Sequence, residues 1–275
     1  MKKPLIVWAS DMHVNEMSSL CPPHFRREEG SEHVFSPAES KMWDAWIDAW
    51  NVVRQRGRGR ETVVVFGGEF ADLDAKKRTN HIITNNRANI KLAVADAIEP
   101  ALKCASWVIV IRGTEAHSDL EAAFDEEVAN DIDGVDVFRN PDTGEGSWWN
   151  CRTKIGGKLF DLAHHVSMGG LPWTERNAAN KLAELTRHEY QTWRENEPDW
   201  VIRGHVHRVS DSGINYAPMR ALTAPCWQLA NPYIHRLAAG GRMPEIGLLT
   251  IDLETNEPEW IKYGIKRTPY FVHGR

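Results

Sequence analysis

Three short runs constrain this chain more than anything else in it: LIVWAS (5–10), TVVVFGG (62–68) and WVIVIRG (107–113). They are rich in β-branched residues and apolar throughout instead of alternating, the pattern of strands covered on both faces. Each meets a polar cluster at its C-terminal end. Segments of helical period lie between and after them. Ser36-Pro37-Ala38-Glu39 sets a cap serine, a proline at the first helical position and a glutamate at the third, a strong start signal. Met42, Trp46, Trp50 and Val53 then recur on one face. A second helix is predicted over about 85–103, with Ile90, Val94, Ala97 and Ile98 at the same spacing. Another capping box, Ser118-Asp119-Leu120-Glu121, starts a third. A fourth is predicted at roughly 174–196, with Ala178, Leu182 and Leu185 on its apolar face.

The rest is richer in strands. SWWNCRTKIGGKLFDLAHH (147–165) reads as a hairpin turning at Gly156-Gly157, and the segments around 219–230 and 246–265 supply further strands. No internal repeat or linker interrupts the 275 residues. Alternating strands and helices followed by a β-heavy half imply one layered α/β domain over 1–275. Composition, 42% hydrophobic and 26% charged, is that of a soluble globular protein, and no stretch is long enough to span a bilayer. A net charge of −5 argues against a nucleic-acid coat protein and leaves enzymes open. The four cysteines form no CxxC pair, which favours a reduced compartment over a disulfide framework or zinc ribbon. The apolar run at the N-terminus stops at Asp11, too early for a signal peptide, so a cytoplasmic location is expected.

Ligand sites in open α/β sheets gather outside the carboxyl ends of the strands. There this chain places Asp11-Met12-His13, then Gly67-Gly68-Glu69-Phe70-Ala71-Asp72, then Gly113-Thr114-Glu115-Ala116-His117. The hairpin ends in Asp161-Leu162-Ala163-His164-His165. A fifth apolar run closes in Gly204-His205-Val206-His207, whose two imidazoles face one side if the backbone stays extended. Carboxylates and imidazoles without thiolate suit manganese, iron or zinc. There are more candidate ligands than one tetrahedral ion needs, and two ions sharing a bridging carboxylate would use them.

The order of these motifs resembles that of the calcineurin-like metallophosphoesterases: D-x-H, G-D-x-x-D, G-N-H-[DE], a lone His, then G-H-x-H. The resemblance runs from about residue 5 to 209 and implies a layered α/β/β/α sandwich, with helices flanking two packed sheets. It implies that Asp11, His13 and His207 bind one divalent ion, and His164 and His205 a second. Glu69 would stand for the aspartate that bridges both. His165 rivals His164 for the lone position. His117 would act beside the leaving group, steadied by Asp72. Two departures stand out. The bridging residue is one methylene longer, and the third motif reads GTEAH. Thr114 therefore replaces an asparagine ligand, with Glu115 as the alternative oxygen donor. A GT-x-x-H third motif is similar to that of phage-type members of the family.

The implied reaction is hydrolysis of a phosphoester, a phosphodiester before a monoester, by hydroxide bound between two divalent metal ions. Manganese is expected first, with iron, zinc or nickel as alternatives. The substrate is expected to be small or nucleotide-like. A nuclease on DNA or RNA is the enzymatic rival, and a scaffold that kept the fold without the chemistry is the third reading. No GxxxxGK loop or GxSxG elbow supports an NTPase or a serine hydrolase. The insertion at about 14–35 is a candidate lid, from which Arg26 and Arg27 could bind substrate phosphate, with His24 and His33 as further donors. The basic turn 54–60 lies at the opposite end of the strands and reads as a solvated helix end. Trp148, Trp149 and Trp173 are possible stacking platforms, with packing the default expectation.

Overall fold

The computed structural model describes residues 2–73, 82–166, 177–230 and 243–264. Strands β1 (Leu5–Ala9), β2 (Thr62–Phe66) and β3 (Trp107–Ile111) run parallel and side by side, almost wholly buried, as their unbroken apolar runs require. Short β4 (Asp136–Val137) and β5 (Ser147–Trp148) both pair with β3, and β11 (Ile246–Asp252) and β12 (Glu257–Tyr263) extend the other edge antiparallel to β1. A second sheet takes the order β6-β7-β8-β10-β9, from β6 (Asn150–Ile155), β7 (Lys158–Ala163), β8 (Trp200–Arg203), β9 (Ser210–Asp211) and β10 (Arg220–Thr223). The hairpin β6-β7 turns at Gly156-Gly157, both at positive φ.

Two apolar cores lie on opposite faces of the first sheet. Ile6, Trp8, Val63, Val65 and Ile109 meet Phe160, Leu162, Ile202 and Leu222 of the second sheet. Leu5, Val7, Val64, Val108 and Val110 meet α1 (Pro37–Arg56), α2 (Arg87–Leu102) and α3 (Ala123–Asp131) through Trp46, Trp50, Ile98 and Phe124. Leu182 and Ala183 of α4 (Ala178–Trp193) cover the outer face of the second sheet against Val201, Met219 and Ala221. The layers are therefore α/β/β/α, as expected. No helix among the described residues is long and apolar enough to cross a membrane.

The predicted starts of α1 and α2 hold. Ser36 and Glu39 form both halves of the capping box, and Asn86 caps α2 through Ala88 and Asn89. The capping box at Ser118 does not form. Asp119 (φ 70°), Glu121 (φ 55°) and Ala122 (φ 49°) take left-handed conformations, so the chain makes a tight 3-10 turn over Leu120–Ala122 and α3 begins only at Ala123. The apolar face of α4 also differs. Leu185 is 52% exposed, whereas Ala179, Ala183, Thr186 and Tyr190 are buried. The contact with the sheet is made by Leu182 and Ala183, and Leu185 lies outside that face. The start of this helix at 174, and Trp173, fall outside the described residues.

Much of the 14–35 insertion is packed down. Leu20, Cys21 and Phe25 join the core under α1 and α2, and the exposed part is a turn closed by the Arg26–Glu32 bridge. Trp148 stacks on Phe138 with ring centroids 5.3 Å apart, so it is a packing residue. Trp149 is half-exposed, under the Arg112 guanidinium. In the basic turn, Arg56 pairs with Glu259 and Arg60 with Asp252, at the strand ends remote from the polar motifs.

Candidate metal centre

The carboxyl ends of β1, β2, β3, β7 and β8 converge, and backbone hydrogen bonds stitch the loops that leave them. Asp11 N–H donates to Gly68 O at 3.0 Å, His13 N–H to Glu69 O at 3.0 Å, and Gly204 N–H to His164 O at 3.1 Å. Small residues make that approach possible. A side chain on Gly204 would begin 2.9 Å from Asp11 Oδ2, and one on Gly68 only 2.7 Å from the backbone of Gly113. Asp11, His13, Glu69, His205 and His207 all have positive φ, between 47° and 67°. Such conformations cost of order 1–3 kcal/mol each in non-glycine residues and persist where surrounding structure enforces them. Here they turn five polar side chains toward one another.

Three groups of potential ligand atoms result: His13, Asp72 and His117 form one, and the other two share Glu69. Of those two, Asp11, His13, Glu69 and His207 form one; Glu69, His164 and His205 form the other. In the first, His13 Nε2 lies 3.0 Å from Glu69 Oε2 and His207 Nε2 3.1 Å from Asp11 Oδ1. In the second, His164 Nε2 lies 3.4 Å from Glu69 Oε1 and 3.9 Å from Asp11 Oδ1. His164 is fully buried whereas His165 is exposed, and of the two it is His164 whose nitrogen joins the group. Its Nδ1 donates to Gly67 O at 2.6 Å, which leaves Nε2 with the lone pair facing the two carboxylates. That nitrogen, and both ring nitrogens of His13, are buried without a hydrogen-bond partner among the described residues. Buried polar groups are rarely left so. Lone pairs aimed at a pair of buried carboxylates are what a divalent cation would satisfy, and the mixed oxygen and nitrogen set fits manganese, iron or zinc.

Electrostatics point the same way. Burial opposes ionisation of Asp11, but His207 and His164 outweigh it and bring the carboxyl down to about 2. Glu69 is likewise held well below the carboxylate range, its burial overcome by His164, His13 and His117. Burial disfavours the charged form of His164, yet Glu69 and Asp11 raise it to about 9. The carboxylates demand compensating positive charge, which protons on imidazoles or a bound cation can supply.

His117 stands at the edge of this group, its ring centroid 4.6 Å from that of His13. Its Nδ1 is 3.0 Å from Asp72 Oδ2, the predicted pairing. Burial lowers its basicity, but Glu69 and Asp72 raise it to about 9. It does not precede a helix N-terminus, since α3 starts six residues later. Thr114 donates its hydroxyl to Glu69 Oε1 at 2.6 Å, and Glu115 is exposed. The threonine thus braces the shared carboxylate.

Arg26 and Arg27 are not brought into the group. Arg26 is exposed, and Arg27 Nη2 lies 3.3 Å from His33 Nδ1. His33 in turn bonds Glu39 at 2.8 Å, near Cys21. That second cluster is closed by its own hydrogen bonds, with the Arg27 guanidinium beside it, and reads as an anchor for the loop.

The residue that sequence reasoning missed is Asp125. From the first turn of α3, its fully buried carboxylate accepts Gly113 N–H at 2.7 Å and Glu69 and Phe70 N–H at 3.4 Å each. It ties the second and third motifs together by their backbones. Burial raises it to about 6, against the amides that favour its charge. The sequence offered one sign, an acidic residue in a segment read only for the capping box at its start.

No model of a known protein family matches the chain, and neither does any curated protein sequence. Among solved structures, it is similar to Vps29 complexed with zinc from Entamoeba histolytica, at 14% identity and a TM-score of 0.41, over 94% of this chain and 98% of that one. It is also similar to vacuolar protein sorting 29 from Cryptosporidium parvum, at 11% identity and a TM-score of 0.40, over 97% and 100% of the two chains. A third similar structure is a predicted phosphoesterase from Streptococcus pneumoniae, at 13% identity and a TM-score of 0.34, over 96% and 99%.

Proposed function

We propose that the chain is a divalent-metal-dependent phosphoesterase that prefers phosphodiesters. The observation that carries this reading is the pair of overlapping ligand groups joined at Glu69, beside an imidazole held by a buried carboxylate. Asp11, His13 and His207 would hold one ion with Glu69, and His164 and His205 the other. When bound, two such ions would lower the pKa of water and neutralise phosphoryl charge.

The remaining roles belong to side chains. With Nδ1 tied to Asp72, His117 presents Nε2, and the Asp72 carboxylate favours the protonated form of the ring. Delivered to the departing ester oxygen, that proton makes His117 the general acid. Asp72 fixes the ring and stabilises its charged form. Thr114 keeps Glu69 oriented between the two ligand groups.

The test is turnover of bis(4-nitrophenyl) phosphate and 4-nitrophenyl phosphate with manganese and with EDTA. Manganese-dependent hydrolysis, faster on the diester and abolished by the chelator, is expected. A protein that takes up metal but turns over neither substrate would not be this enzyme. Oligonucleotide cleavage exceeding the diester rate, and weakening steeply with salt, would point to a nuclease instead.

A further inference from the structure

His165 is left over by the ligand groups, yet it stands against one of them. It follows His164 at the end of β7, and the Gly204 N–H on His164 O pins the backbone there. Its ring centroid is 5.3 Å from that of His164 and 5.3 Å from that of His205, and those two are 5.2 Å apart. The three imidazoles form a nearly equilateral triangle. His164, at one corner, is fully buried with Nε2 toward Glu69. His165, at another, is exposed, and the ligand group of that half comprises Glu69, His164 and His205 without it.

Two roles fit an imidazole so placed. A third histidine on the second ion would need its nitrogen among the clustered ligand atoms, where it does not lie. A hydrogen-bond donor to a molecule docking on that half of the centre needs what is seen, a ring in contact with the ligand imidazoles and open to solvent. On the opposite half, His117 already flanks His13. The phosphoryl group of an ester held between them would therefore have one imidazole on each side, with Asp72 behind His117 only.

We infer that His165 is a substrate-contacting residue, donating a hydrogen bond to a non-bridging phosphoryl oxygen bound over the Glu69, His164 and His205 half of the centre. This rests on the phosphoesterase reading, and its ligand class is a phosphate mono- or dianion or a phosphodiester. His117 and His165 then divide the labour, one at the leaving oxygen and the other at an oxygen that stays.

The experiment compares wild type with His165→Ala and His165→Gln, the second retaining a side-chain N–H. Metal content is measured on the manganese-loaded proteins, inorganic phosphate affinity by calorimetry, and kcat and KM on the diester. Expected are unchanged metal content and phosphate binding weakened about tenfold or more in the alanine variant, the size of a hydrogen bond to a charged group. A rise in KM larger than the fall in kcat is expected too, with partial recovery in His165→Gln. Loss of one metal ion per chain in His165→Ala would make it a ligand and overturn the inference, as would wild-type phosphate affinity. If wild type hydrolyses no ester, the phosphoesterase reading fails by itself, while phosphate affinity still decides the role of His165.

Discussion

A glutamate reaches one methylene farther than an aspartate, and position 69 uses that reach. Oε2 stands against His13 and Oε1 against His164, 3.0 and 3.4 Å away. A longer side chain has an extra rotor, and the Thr114 hydroxyl, 2.6 Å from Oε1, restrains it. The two departures from the motif pattern thus compensate each other. Thr114→Val should lower manganese affinity by about tenfold, the usual effect of removing a group that orients a ligand. Titration of the metal-free protein by calorimetry reads it, and wild-type affinity in the valine variant would show that the contact has no such role. His117→Ala should lower kcat on the diester by about a hundredfold or more, as loss of a general acid does, at unchanged metal content. Asp72→Asn should cost less, because the ring keeps a neutral partner. Full activity in His117→Ala would remove it from the chemistry. At this scale most of the site was legible. Asp11, His13, Glu69, Asp72, His117, His164, His205 and His207 all lie in the polar clusters at strand ends, and the motif order of the family that the chain resembles picks them out of those clusters. Thr114 was seen as a substituted ligand, and its actual partner depends on the side-chain rotamer of a residue 45 positions away. Spacing along the chain carries no such information.

Element boundaries were legible where local chemistry alone decides them. Ser36 caps its helix with both halves of the box that the sequence shows. Ser118 offered the same pattern and did not cap, because the chain there must serve the site. His117 is committed to Asp72, and Arg87 draws Asp119 toward α2 at 2.9 Å. The left-handed turn at 119–122 then delivers Asp125 beneath the motifs, and tertiary demands override the local signal. This predicts a contrast. Ser36→Ala should cost about 1 kcal/mol of stability and leave diester turnover unchanged. Asp125→Ala should cost about 1–3 kcal/mol, because it strands buried backbone amides, and should also weaken manganese binding. Urea unfolding with parallel metal titrations measures both. Equal behaviour of the two variants toward metal would mean that Asp125 serves the fold alone.

For the whole molecule, the arrangement depends on two sheets meeting so that loops far apart in sequence share one volume. The parallel runs β1 to β3 implied the first sheet, but the place of β11 beside β1 and of β10 beside β8 rests on pairings between distant segments, which periodicity cannot report. The convergence concentrates charge, and that gives the metal-free protein a predictable pH response. His164 and His117, raised from 6.5 to about 9 by the carboxylates around them, contribute stability that is complete below 6.5. It is lost as pH climbs through about 9. Asp11, lowered from 3.8 to about 2, contributes above 3.8 and loses its effect as pH falls through about 2. Between neutral and alkaline pH the metal-free fold should therefore weaken as its imidazoles lose the protons that balance Asp11 and Glu69. A cation at Glu69 provides that charge without protons, and its binding must release those it replaces. Manganese should raise Tm more at about pH 9 than at about pH 6, with the EDTA-treated protein accounting for most of the widening gap. Thermal unfolding of both forms across that interval decides the matter. A gap that stays constant or narrows would mean that metal and protons do not compete for the same carboxylates, and Glu69 would lose its place as the shared ligand.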